Sequence, residues 1–355
     1  MTPTVDVVIA AHDPGRRVDR AVSSVLDGTT TAVRVTVVAH GIPATAFHDQ
    51  LAAQRDDRRL RVVEFADGVP SPAGPFRHGL DLADGDFVSI MGSDDFLEPG
   101  AIDAWAAHAH RHHTDYLIAG LRDQGGAVWR DPLTRPLRRL RLDPVRDRLD
   151  YRAAPLGLIR RAFLDRIGIG LTEGLATGED IELGLALVNL DGRVDVAAGQ
   201  PSYVIGADAP QRVTLLSRAA AAEFEALVLL TGRAWIGRLD RRRRRAIAIK
   251  LWRMNVIPAM LLRPDPAHWT HEDLGALGSI ADWLASLSPV AARSLSRTEA
   301  ALADAAGRRN EAAIAAAVAF ARAARPADRL LTRRLIDAFG TDTLLRRVVR
   351  LRLGR

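Results

Sequence analysis

The sequence predicts an α/β fold, a mostly parallel sheet with helices on both faces, followed by an all-α C-terminal domain. Two observations carry this. Over the first 215 residues, short β-branched runs alternate with segments of helical period, the pattern of strands joined by crossover helices. From about Ser217 the strand signal stops, and Ala-, Leu- and Arg-rich helical segments continue to the end. The chain therefore divides at 1–215 and 216–355, in keeping with roughly 100–200 residues per domain.

Each element follows from its residues. Val5 to Ala11 is a β-branched run suited to a central parallel strand. His12-Asp13-Pro14-Gly15 closes it, with Asp13 predicted as a helix cap and Pro14 at the first helical position. Val18, Ala21, Val22, Val25 and Leu26 recur at helical spacing. A second strand covers Val33 to Val38 and ends at Ala39-His40-Gly41; a short helix is expected over Pro43 to Gln54. Leu60 to Phe65 is a third strand, followed by a Gly/Pro-rich loop (Gly68 to Gly74) and a helical turn through His78-Gly79-Leu80. The turn Asp84-Gly85 then feeds the apolar run Phe87-Val88-Ser89-Ile90-Met91, which stops at Asp94-Asp95. Pro99 is predicted at the first position of the next helix, which carries Ile102, Trp105, Ala106 and Ala109.

Right-handed crossovers gather the strand ends on one edge, so Ala10-Ala11, Ala39-His40 and Ser93-Asp94-Asp95 are expected to line one cleft. Adjacent carboxylates repel, and a site that holds two usually shares them with a cation. The plainer reading of the pair is a solvated turn capping a helix.

Composition narrows the classes. Hydrophobic residues make up 48% and charged residues 26%, which excludes a disordered chain. With no Cys there are no disulfides, thiolate zinc sites or cysteine nucleophiles. The start Met1-Thr2-Pro3-Thr4 lacks the marks of a signal peptide, and no run of about 18 apolar residues predicts a membrane span. A cytoplasmic location, at most peripheral at the inner face of the cell membrane, is the expectation. The formal charge is +6, and Lys250 is the only lysine, so arginine carries the basicity.

Three motifs in order point to a family. Val7-Val8-Ile9-Ala10-Ala11-His12-Asp13, then Gly79 to Phe87 running into Ser93-Asp94-Asp95, then Thr177-Gly178-Glu179-Asp180-Ile181-Glu182-Leu183 resemble the nucleotide-sugar-binding half of family-2 glycosyltransferases of the GT-A fold. The resemblance covers residues 4 to 215. It implies an inverting transfer of sugar from a nucleotide-diphosphate sugar to a glycan or glycopolymer of the bacterial cell envelope, with Mn²⁺ or Mg²⁺ as cofactor.

In that reading Asp95 is the metal ligand, and Asp94 bonds the ribose or a metal-bound water. Asp180 is the general base and Glu179 orients it or binds the acceptor. Ala10, Ala11, Asp13, His40, Arg77 and Ser93 fall on the nucleotide sugar, with Arg212 approaching the diphosphate. The chemistry asks for these types: a leaving diphosphate gathers negative charge, and an acceptor hydroxyl needs its proton removed. For Glu179-Asp180 the plainer alternative is helix capping after Gly178. Three positions depart from the family pattern. Ala39-His40 stand where relatives carry an acidic pair, Phe76-Arg77 where they carry Arg-Asn, and Gly92 where they carry Asp.

Other features point less sharply. Arg135 to Arg141, with Arg146 and Arg148, suits either a polyanionic acceptor or a solvated face over Leu133, Leu137, Leu140 and Leu149. His108, His110, His112 and His113 are read as surface histidines. The five-arginine run Arg241 to Arg245 and the basic, amphipathic end Leu344 to Leu353 fit an anionic membrane surface or an ordinary solvated helix face. Two rival functions remain open. One is a homologue that binds nucleotide sugar without turning it over. The other is nucleic-acid or membrane binding; few aromatics (5%) and no nucleic-acid motif speak against nucleic acid.

Overall fold

The computed structural model describes residues 3–208 and 219–353. They form two compact units. Of the described residues, one contains 3–131, 137–143 and 152–208; the other contains 132–136, 144–151 and 219–353. Two short segments from the first half of the chain thus pack with its C-terminal helices.

The first unit is built on a seven-stranded sheet. In chain order its early elements are β1 (Thr4–Ala11), α1 (Val18–Leu26), β2 (Ala32–His40), β3 (Leu60–Phe65), α2 (Ala73–Asp81), β4 (Phe87–Gly92), β5 (Phe96–Leu97) and α3 (Ala101–His112). They are followed by β6 (Tyr116–Ile118), β7 (Leu121–Asp123), β8 (Val128–Trp129), β9 (Gly157–Arg160), α4 (Arg161–Ile167), α5 (Ile181–Asn189), β10 (Val194–Val196) and β11 (Tyr203–Ile205). The sheet order is β10-β6-β9-β4-β1-β2-β3, with β9 antiparallel to both neighbours. The other described pairings in it are parallel. A smaller sheet has the order β5-β11-β7-β8.

The central strand explains itself. β1 is flanked on both edges, and the β-branched and aliphatic residues from Val5 to Ile9 bury on both faces. On one face Val5, Val7 and Ile9 share a core with Val18, Val22 and Val25 of α1 and Ile102 and Trp105 of α3. Each such side chain, fully buried, stabilises the fold by about 1.5–3 kcal/mol. On the other face α2 lies so close that a Cβ on Gly79 would stand 2.2 Å from Val8 Cγ1. Helices therefore cover both faces, as the alternating pattern predicts.

Several boundaries differ from the sequence reading. Asp13 caps no helix: its Oδ1 accepts the Gly15 amide at 2.8 Å in a local turn, and α1 begins only at Val18. Pro43 to Gln54 is not one helix but two 3₁₀ turns, Ala44–Phe47 and Ala52–Gln54. α2 starts at Ala73, inside the stretch read as loop. Pro99 precedes the helix instead of opening it, because Gly100 (φ 78°) stands between it and Ala101 as the cap residue. His108 is not a surface histidine; its ring faces the fully buried Asp195 at 3.4 Å and Gln200 at 2.9 Å.

The second unit is helical: α6 (Ala220–Thr231), α7 (Ala234–Arg238), α8 (Arg241–Leu251), α9 (Ile257–Leu261), α10 (His271–Leu287), α11 (Arg297–Gly307), α12 (Glu311–Ala323), α13 (Pro326–Leu330) and α14 (Leu344–Leu353). Prolines mark the breaks between its helices: α9 ends before Pro264, α10 before Pro289, and α13 opens on Pro326. Reciprocal caps start α10 (Thr270 with Asp273) and α11 (Ser296 with Glu299). No helix among the described residues is long and apolar enough to cross a membrane.

Candidate active site

Parallel register brings the ends of the first strands to one level. Ala10 pairs with Gly92 on one side and Val38 on the other, and Ala11 pairs with Ala39. Beyond that edge, within the first unit, opens a cavity of about 890 Å³. That lies in the range of roughly 300–1,000 Å³ usual for ligand pockets. Ala10, Ala11, His40, Ser93, Asp95, Glu179 and Asp180, all singled out from the sequence, line it.

Asp95 is held from a distance in sequence. Its Oδ2 accepts a 2.5 Å hydrogen bond from the Tyr203 hydroxyl, and its Oδ1 accepts from the Gly206 amide at 2.9 Å. The same hydroxyl accepts from the Gly92 amide at 3.1 Å. The small sheet makes this possible: β11 pairs with β5, directly after the acidic loop, with Tyr203 opposite Leu97. Burial, and then the charge on Asp95, hold the Tyr203 phenol well above its ordinary value, so it remains a donor. Gly92 also acquires a reason. A Cβ there would stand 2.6 Å from Asp95 Oδ2, so the place where relatives carry Asp is closed to any side chain while Asp95 keeps this position.

Asp94 takes another role. Its Oδ1 accepts from Arg16 Nη1 at 3.0 Å, and its carbonyl accepts from Arg20 at 2.6 Å. Arg16, not Asp94, lines the cavity. His12 lines it as well; burial and then the nearby Arg16 lower its pKa, so the ring is neutral at pH 7. A cavity that presents one guanidinium and a neutral imidazole near the strand edge suits an anionic ligand with a polar ring.

Glu179 and Asp180 reach the cavity from the start of α5. Gly178 supplies the turn, with φ at 79°, a conformation that costs glycine little. Asp180 sits at the cap position, and its side chain makes no capping hydrogen bond to the first amides of α5. Near it, burial raises the Tyr116 phenol; Arg152 opposes this and the Asp180 carboxylate adds to it.

Three of the sequence-predicted residues are not among those lining the cavity. Asp13 closes its own turn, Asp94 pairs with Arg16, and Arg77 is half exposed against Glu173 at 3.4 Å. Arg212 lies outside the described residues. Where relatives carry an acidic pair, His40 Nε2 meets Asp67 Oδ1 at 2.8 Å, and the His40 contact holds that carboxyl below its usual range. A carboxylate is thus present after all, brought from the end of β3.

The donor set around Asp95 fits a hard divalent cation. Its carboxylate, oriented by Tyr203 and Gly206, is the hard oxygen ligand such an ion takes. Among the described residues no three His, Cys, Asp or Glu gather into a cage. Mg²⁺ or Mn²⁺ held here would draw its remaining ligands from substrate phosphates and water, which is how such ions bind at phosphate sites.

Residues 6–168 match the model of glycosyl transferase family 2. Over 200 residues the chain is 27% identical to the succinoglycan biosynthesis protein ExoU of Rhizobium meliloti (strain 1021), across 50% of this chain and 55% of that protein. The match thus spans about half the length of the curated relative. Among solved structures, TarS 1-349 of S. aureus in complex with UDP-GlcNAc superposes with a TM-score of 0.77 at 17% identity, covering 90% of this chain and 91% of that one. TarS 1-349 in complex with UDP gives 0.73 at 16% identity, with the same coverage.

Proposed function

Because the chain carries a family-2 glycosyltransferase domain of the GT-A fold, we propose that it moves a sugar from a nucleoside-diphosphate donor to a hydroxyl of a cell-envelope glycan or glycopolymer, with inversion. One observation carries the reading: Asp95 and the pair Glu179-Asp180, 84 positions apart at the nearest (179 − 95), line a single cavity at the strand edge.

The roles follow from chemistry. Asp95, fixed by Tyr203 and Gly206, is the residue that would hold a divalent cation, whose chemistry would be to neutralise charge on the departing diphosphate. Arg16 and the neutral His12, which line the same cavity, would orient the donor's phosphates and polar groups. Asp180 takes the proton from the acceptor oxygen as that oxygen forms its bond to the anomeric carbon and the bond to the diphosphate oxygen breaks. Glu179 orients the acceptor. In-line attack on that carbon inverts it.

The test joins binding and transfer. UDP-, GDP- and dTDP-sugars are screened by thermal shift with and without Mn²⁺, since a donor that binds the folded chain raises its melting temperature. Asp180→Asn is then expected to bind the chosen donor like the parent but to transfer sugar about 10²–10⁴-fold more slowly. Parent-like transfer by the variant would remove Asp180 as base. A parent that binds donor and transfers to no acceptor would favour the non-catalytic homologue.

A further inference from the structure

The second unit has a cavity of its own, about 590 Å³, far richer in cations than the candidate active site. Arginines from three stretches line it: Arg146 and Arg148, Arg241 and Arg242, Arg346 and Arg350. Arg135 and Arg245 line it too, each with a carboxylate partner, Asp147 at 2.6 Å and Asp342 at 3.6 Å. Asp342 is the one acid among the lining residues. For Arg241, Arg242 and Arg346, no carboxylate among the described residues lies within ion-pair distance.

The chain accepts unfavourable arrangements to place these charges. Helix starts favour acids, yet α8 opens on five arginines and relies on Asp240 to accept the amides of Arg242 and Arg243. Arg346 and Arg350 are like charges one turn apart on α14, a destabilising spacing. Arg148 is 4% exposed, takes a left-handed backbone (φ 53°), and leaves a buried Nη1 without a hydrogen-bond partner. Burial, with Arg350 and Arg253 adding repulsion, holds its guanidinium below the ordinary arginine value. A polyanion in the cavity offsets all three at once.

We infer that this cavity is a binding site for phosphate groups, separate from the candidate active site and wide enough for more than one phosphate. Guanidinium groups bind phosphate through paired, charge-assisted hydrogen bonds, and arginine is the residue suited to it. The inference is independent of the glycosyl-transfer reading.

The probe is tripolyphosphate, titrated calorimetrically into the full chain without divalent metal, at low and high salt. Arg242→Gln/Arg346→Gln is the variant, because both side chains are exposed and neither has a carboxylate partner among the described residues. Expected are one-to-one binding by the parent that weakens with salt, and at least a tenfold loss in the variant. The ligand-free variant should melt no lower than the parent, since it loses only repulsion. Phosphatidylglycerol vesicles, against phosphatidylcholine, distinguish the source. Variant-sensitive sedimentation assigns the phosphate to a lipid headgroup, and tripolyphosphate binding alone assigns it to a soluble phosphate chain; either keeps the site. Binding of neither probe, equal binding by parent and variant, or a lower melting temperature in the ligand-free variant overturns it.

Discussion

Tyr203 reaches Asp95 across 108 positions of sequence, and this contact decides what the acidic loop can do. Asp95→Asn should abolish Mn²⁺-dependent donor binding in calorimetric titration with little change in melting temperature. Tyr203→Phe should weaken Mn²⁺ binding by about 10–100-fold, the usual effect of losing a group that orients a metal ligand. It should also cost about 1–3 kcal/mol of stability, because the Gly92 amide loses its acceptor. Unchanged Mn²⁺ affinity in both variants would remove Asp95 from the metal site. Asp95, Glu179 and Asp180 were legible because each sits in a local motif. Tyr203, Arg16 and Asp67 carried no comparable signal: their partners are set by strand pairing and loop return, not by spacing.

Among the elements, strands and periodic helices were legible because their pattern is local. β3 spans Leu60–Phe65 as predicted, and α1 buries Val18, Ala21, Val22, Val25 and Leu26. The errors fall where tertiary packing overrides local chemistry, as at Pro43 to Gln54 and at the start of α2. Tertiary packing also fixes Arg253, on the π-helical turn Trp252–Val256 that joins α8 to α9. It donates to Glu299 at 2.9 Å, the Ser294 carbonyl at 2.8 Å, the Asp342 carbonyl at 2.5 Å and the Tyr151 hydroxyl at 3.3 Å. Burial would lower its pKa, but Tyr151 and Glu299 outweigh that and raise it. Arg253→Met leaves those acceptors behind and should destabilise the chain by about 3–5 kcal/mol in denaturant unfolding. A loss below about 1 kcal/mol, the worth of an exposed ion pair, would mean the network adds little.

At the scale of the whole molecule, acid is the expected weakness. Burial would raise the Asp195 pKa, but His108, Thr114 and the Arg141 amide outweigh it and lower the value; Asp103 and Asp86 are lowered as well. A depressed carboxylate stabilises the fold above its unfolded pKa of about 3.9 and loses that contribution as pH falls through the folded value. His12, held neutral, acts in the same direction from higher up: its contribution is full above about 6.5 and fades as pH falls toward its lowered value. The melting temperature should therefore be level near pH 7, slope down below about 6.5, and fall further below about 4. His12→Asn should flatten the upper slope alone. A parent with no slope between pH 7 and 5 would contradict the assignment to His12.

The interleaving of the two units has a consequence in time. The Arg148 guanidinium donates to the Thr341 carbonyl, 193 positions later. At about 5–20 residues per second, a ribosome needs roughly 10–40 s to deliver that partner. Through that interval the segments 132–136 and 144–151, with Leu133, Leu149 and Tyr151, wait outside any finished core. The second unit cannot close until its later helices are made. Completion of the second unit is timed by the arrival of the segment around Thr341, and a chain stalled before it would present an apolar, arginine-rich flap to whatever chaperone or surface it meets first.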